Sequence, residues 1–167
     1  MFQGVPFARV FSLTVAALPL MAMPLKAQVL HETALPSALA LTIAQTALET
    51  CKANGYNVSV TIVGRYGEVR IQVRGDQVGP HTMENSMRKA YTARTFRVTS
   101  GEFAQRMEKD PVKAAMVLDN IVALAGALPI KVGDDVVGAV GVSGAPGGDK
   151  DEVCAKAGID KVADQLK

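Results

Sequence analysis

Apolar positions punctuated by glycine run from Leu128 to Gly144, and the other elements of the chain can be placed around that stretch. It contains two β-rich runs flanking Gly133-Asp134-Asp135, a pattern that predicts a β-hairpin. The second arm, Val136 to Ser143, is apolar at nearly every position. A strand of that kind is buried on both faces and lies central in its sheet. Gly138 and Gly141 interrupt it and mark a bulge or a close approach by a helix, a partner subunit or a ligand.

The remaining elements follow from the same patterning. Leu39, Ala40, Ile43, Ala44, Ala47, Leu48 and Cys51 recur at helical spacing between Pro36 and Asn54-Gly55, which predicts a helix over Ser37 to Ala53. Alternation over Asn57–Val63 and Glu68–Arg74, joined through Gly64 to Gly67, predicts a second hairpin with one wet face. Val58, Val60, Ile62, Val69, Ile71 and Val73 point inward in this reading. After the Gly75–Pro80 loop and His81, a helix from about Thr82 to Arg97 carries Met83, Met87, Ala90 and Arg94 at helical spacing. Arg88, Lys89 and Arg97 cluster on its surface. Thr99 and Glu102 form a capping-box pattern for a helix through Lys109, and Asp110-Pro111 restarts a turn to about Leu118. Ile121–Leu124 reads as a short strand. A last helix, capped by Asp149 or Asp151 and interrupted near Gly158, runs to about Gln165. The order defines an α+β domain, a five-stranded antiparallel sheet with helices packed on it.

Length and composition narrow the picture. The 167 residues, 49% hydrophobic and 20% charged, suffice for one domain with its own core. Residues 1–27 have the outline of a secretory signal peptide: Arg9, an apolar run from Val10 to about Leu25, and Leu25-Lys26-Ala27 at the cleavage position. The alternative is an N-terminal membrane anchor, against which Pro19 and Pro24 break the run. The division expected is a leader at 1–27, a tail at 28–34 and a domain at 35–167, with no membrane span after processing. Without Arg9 and Lys26, the 18 basic side chains become 16, equal to the 16 acidic ones. A neutral domain with no basic run argues against nucleic acid as a partner. Cys51 and Cys154 form a disulfide if the first and last helices are neighbours, or else remain two buried thiols.

Several segments together resemble the GlcG/HbpS family. They are the alanine-rich first helix, Arg74-Gly75-Asp76, Met87-Arg88-Lys89-Ala90-Tyr91-Thr92-Ala93, Leu128-Pro129-Ile130, Val137 to Gly144, and Asp149 to Gly158. The resemblance spans about Leu35 to Val162. It implies a profilin-like fold, assembly into homo-oligomers, often octamers, and binding of haem or iron. Gly64 and Gly126-Ala127-Leu128 depart from the family pattern, which has Asp in the first turn and a Gly-Gly pair before the proline.

Candidate chemistry centres on His81, a lone histidine at a loop-to-helix junction that can present a ring nitrogen to iron or simply cover the helix start. Met83 and Met87 are candidate second axial ligands, or core. Arg74, Arg88 and Lys89 can pair with propionates, or stay solvated. The cofactor set is thus His81, Arg74, Met83, Met87 and Lys89, with His81 as metal ligand. Ser143 lacks nucleophile-elbow spacing, so no catalytic set emerges. The expected function is a periplasmic or secreted binding protein for haem, iron or another small molecule. The alternative is an accessory or assembly protein for a periplasmic redox enzyme, with no cofactor of its own.

Overall fold

A computed structural model describes residues 29–114 and 118–167. The leader at 1–27 and the end of the turn after Pro111 fall outside those residues. Residues 32–167 form one compact unit that contains every regular element among the described residues. Helix α1 (Ser37–Ala53) leads into β1 (Ser59–Val63) and β2 (Val69–Arg74). Helices α2 (His81–Phe96), α3 (Ser100–Glu108) and the single turn α4 (Pro111–Ala114) follow. The hairpin of β3 (Ala127–Val132) and β4 (Asp135–Ser143) comes next, then α5 (Gly148–Lys161) and a short 3-10 turn. Among the described residues no helix is long and apolar enough to cross a membrane.

The sheet is antiparallel, with order β2-β1-β4-β3. It has four strands and not five. Ile121–Leu124 is irregular: only Ile121 is buried, Ala123 and Leu124 are exposed, and the Val122 N–H is taken by the Thr92 hydroxyl at 3.0 Å. An apolar run this short fits a strand or an irregular segment equally, and here it joins no ladder of the sheet.

Helices cover both faces of the sheet. On one side α1 and α5 lie on Val58, Val60, Ile62, Ile130, Val140 and Val142. On the other, α2 lies on Val63, Ala127 and Ala139 through Ala90 and Ala93. The first hairpin therefore has no wet face at β1. Ser59 and Thr61 are fully buried and pair with Thr82 and Ser86 of α2, at 2.8 and 2.7 Å. Thr82 and Ser86 donate to the carbonyls of Gly79 and Met83, so each buried hydroxyl has a partner. Edge strand β2 is instead open, with Val69 half exposed.

The disulfide forms: Cys51 and Cys154 lie 5.5 Å apart at Cα and join α1 to α5. Helix α5 runs through Gly158 without a break, because that glycine is where the helices touch. A Cβ there would sit 2.5 Å from the Ile43 carbonyl. The cap of α5 also differs from expectation, since Gly147 holds the N-cap position without a side-chain bond. The tail is tied down at its end: Arg65 donates to the Thr33 carbonyl, Tyr66 to the Glu32 carboxylate, and Leu35 is buried.

Gly141 is the point of closest approach between sheet and helix. A Cβ there would sit 2.1 Å from the Ser86 carbonyl oxygen and 2.8 Å from the Ala90 nitrogen, both main-chain atoms of α2. Gly141→Ala is expected to cost about 3 kcal/mol, the upper part of the overpacking range. The control is Gly133→Ala in open space, where only the left-handed φ of 57° opposes the methyl, at about 1 kcal/mol. Urea denaturation of both checks this. Equal losses would show that α2 slides aside freely.

Candidate functional site

The five side chains singled out in the sequence do not meet. His81 is the first residue of α2 and is exposed, its ring folded back over Gly79. It lines a hollow of about 480 Å³ with Tyr56, Gln77, Val78, Gly144 and Pro146. Arg74 lines the adjoining hollow and donates to the Val78 carbonyl at 3.1 Å. Met83 and Met87 are half-buried farther along α2. Two residues along a helix is a turn of roughly 200°, so His81 and Met83 cannot converge on one iron within a chain. The gap between β2 and α2 is bridged by Gln72, which donates to the Thr61 hydroxyl at 2.9 Å and the Met83 carbonyl at 3.0 Å. Among the described residues, no three His, Cys, Asp or Glu side chains gather as a metal site.

Lys89 is not a surface residue. It is 4% exposed, and its ammonium donates to Asp151 at 2.8 Å and to the Val142 carbonyl at 3.1 Å. Asp151 in turn accepts the Ala145 N–H at 3.0 Å. Burial pushes the Asp151 carboxyl above the usual carboxylate range, against the opposing pull of Lys89. Beside it, Glu152 accepts from the Gly101 and Gly126 amides and Ser100 from that of Ala127. These bonds tie α2, α3, β3 and α5 together, so Lys89 is committed to the fold and not to a ligand.

A hollow of different character lies between α2 and α3. It measures about 330 Å³ and is walled almost entirely by apolar surface from Tyr91, Phe96, Phe103, Met107, Leu118 and Ile121. Phe96 and Phe103 stack there with centroids 4.3 Å apart, and the Tyr91 ring is pressed against Gly67. Lys113 also lines it. Arg88 is one turn before Tyr91 on the same side of α2; its guanidinium pairs with Glu84 at 2.6 Å, and its Nε is buried without a partner. None of the five residues singled out from the sequence lines this hollow. Its signal was scarcity: of the five aromatic residues after position 27, three are here.

The helices, the four-stranded sheet and these hollows define a small α+β domain. The chain belongs to the HbpS-like family, described as haem degrading protein HbpS-like, which matches residues 35–160. The family suggested by Val137–Gly144 and Asp149–Gly158 is thus the family of the chain. A solved double mutant of HbpS from Streptomyces reticuli is 33% identical, with a TM-score of 0.76, covering 84% of this chain and 97% of that one. The Klebsiella pneumoniae protein ORFY is 21% identical, with a TM-score of 0.76, over 84% and 98% of the two chains. PduOC, solved as a haem complex, is 19% identical, with a TM-score of 0.71, over 77% and 94%. The last two speak to the fold alone. No curated protein sequence matches the chain.

Proposed function

We propose that this is an exported haem-binding protein that seats the macrocycle edge in the hollow between α2 and α3. The observation that carries the reading is the apolar wall of Tyr91, Phe96 and Phe103, with Lys113 in its lining and Arg88, paired with Glu84, one helical turn from Tyr91. A flat apolar molecule with acidic tails needs such a set: aromatic faces for the ring, cations for the propionates. Membership of the HbpS-like family and the haem complex of PduOC support it. Haem supplies a redox-active iron when bound. Tyr91 offers that iron a phenol oxygen, one of the side chains able to ligate it. His81, in its separate polar hollow, has no such wall around it.

At about 330 Å³ the hollow covers only part of a macrocycle, and Phe96 and Leu118 remain exposed at it. A second copy of the chain closing over this mouth completes the site, which makes the protein a homo-oligomer. Export rests on the disulfide, since such bonds persist in oxidising compartments such as the periplasm.

Haem titration followed by absorption spectroscopy tests the reading. The mature protein and His81→Ala are expected to give the same Soret band. Tyr91→Phe is expected to shift it, and Arg88→Gln to weaken binding about tenfold or more. A band lost in His81→Ala and unchanged in Tyr91→Phe would return the site to the histidine. Native mass spectrometry reads subunit count and haem together, and a monomer retaining haem would remove the second copy from the site.

A further inference from the structure

At the opposite end of the sheet, β2 and α1 enclose a hollow with another chemistry. It measures about 330 Å³ and is lined by Leu48 and Lys52 of α1, Tyr56, Arg74 at the end of β2, and Asp76 and Gln77 in the following loop. Lys52 and Arg74 both border it, and among the described residues neither makes an ion pair. Asp76 supplies one carboxylate, also without an ion pair, so these three groups leave a net charge of +1. The last carbonyls of α1 are mostly engaged. Those of Thr50, Cys51 and Lys52 already accept N–H groups from Asn54, Gly55 and Tyr56.

The hollow is held firmly. Gly75 donates to the Val58 carbonyl at 3.0 Å, and a Cβ at Gly75 would meet that oxygen at 2.4 Å. This close approach fixes where Arg74 leaves the sheet. Gln77 takes a left-handed conformation, φ 57°, uncommon for a residue with a side chain. Strain of that kind gathers at ligand sites. Tyr56 has its ring faced by Lys150, 5.5 Å from the centroid.

We propose that this hollow binds a small organic monocarboxylate, its carboxyl group on Arg74 and Lys52 and its carbon skeleton on Leu48 and the Tyr56 ring. A guanidinium fork matches a carboxylate in two parallel hydrogen bonds. The apolar half of the lining is satisfied by carbon and not by an inorganic oxyanion. A second carboxyl group on the ligand would meet Asp76, and the net charge calls for one anion only. The site is separate from the aromatic hollow and uses none of its residues.

Calorimetric titration of the mature protein with 4-methylpentanoate, succinate and inorganic phosphate tests it. Expected is saturable binding of 4-methylpentanoate with Kd below about 1 mM, at least tenfold tighter than succinate or phosphate. Arg74→Gln and Lys52→Gln, both exposed positions that leave the core intact, are each expected to weaken it tenfold or more. Lys113→Gln, at the aromatic hollow, is expected to leave it unchanged. Absence of saturation, tighter binding of phosphate or succinate, or indifference to Arg74→Gln would each overturn the proposal. Haem binding by the same variants reads the other site independently.

Discussion

The double variant Cys51→Ala/Cys154→Ala is expected to lose about 4 kcal/mol of stability, close to the most that one cross-link can contribute. The reason lies in the unfolded chain. The two cysteines are 103 residues apart in sequence, so their bond ties a loop spanning most of the domain. A closed loop of that length removes many conformations from the denatured ensemble, and opening it restores them. In the folded state little changes. Both sulfurs are fully buried, and α1 and α5 are also pressed together at Gly158 and Ile43. The variant should therefore keep its far-ultraviolet dichroism at low temperature while its thermal midpoint falls by roughly 10 °C or more. Its urea m-value should rise, because the unlinked chain exposes more surface on unfolding. Unchanged midpoint and slope would mean that the unfolded chain stays compact without the bond.

Most of the fold was legible because its signals are local. Pro36 and Asn54-Gly55 bracket α1 at the residues where the helix begins and ends. The nearly continuous apolar run from Val136 to Ser143 predicts a central strand, and β4 is buried over those residues. What escaped was burial of polar groups. Ser59 and Thr61 read as a wet face because hydroxyls are mostly exposed. They are dry because Thr82 and Ser86, one helical turn apart on α2, meet them across the interface. Spacing of two on a strand and four on a helix was present in the sequence, but nothing there says which strand faces which helix. The aromatic hollow escaped for a similar reason. Tyr91, Phe103 and Ile121 belong to three different segments, each ordinary by itself, and only the path of the chain between α2 and α3 brings them together.

Lys89 was the furthest from sequence reasoning, and its replacement carries the other large effect. Lys89→Met is expected to cost about 3 to 5 kcal/mol at pH 7, the range for breaking a buried pair by removing one partner. Methionine fills the space of the alkyl stem, so the loss is electrostatic. The Asp151 carboxylate stays 2% exposed with the Ala145 amide and without its cation. The pH dependence separates this from a packing defect. Asp151 already binds its proton more tightly folded than unfolded, because burial outweighs Lys89, and Asp149 adds to the effect. A carboxyl with a raised folded pKa favours folding fully below the unfolded value of about 3.9, and that contribution is lost as pH rises through the folded value. Removing Lys89 raises the folded value further and widens that window. The gap between Lys89→Met and wild type should therefore narrow on acidification from pH 7 toward pH 4, in urea titrations at each pH. A gap constant with pH would mean that cavity or strain, and not the stranded charge, accounts for the loss. Lys89→Met/Asp151→Leu removes both charges and should be more stable than Lys89→Met alone, since a matched apolar pair bears no uncompensated ion. The coupling energy of that cycle is the value of the pair where α2, β4 and α5 meet.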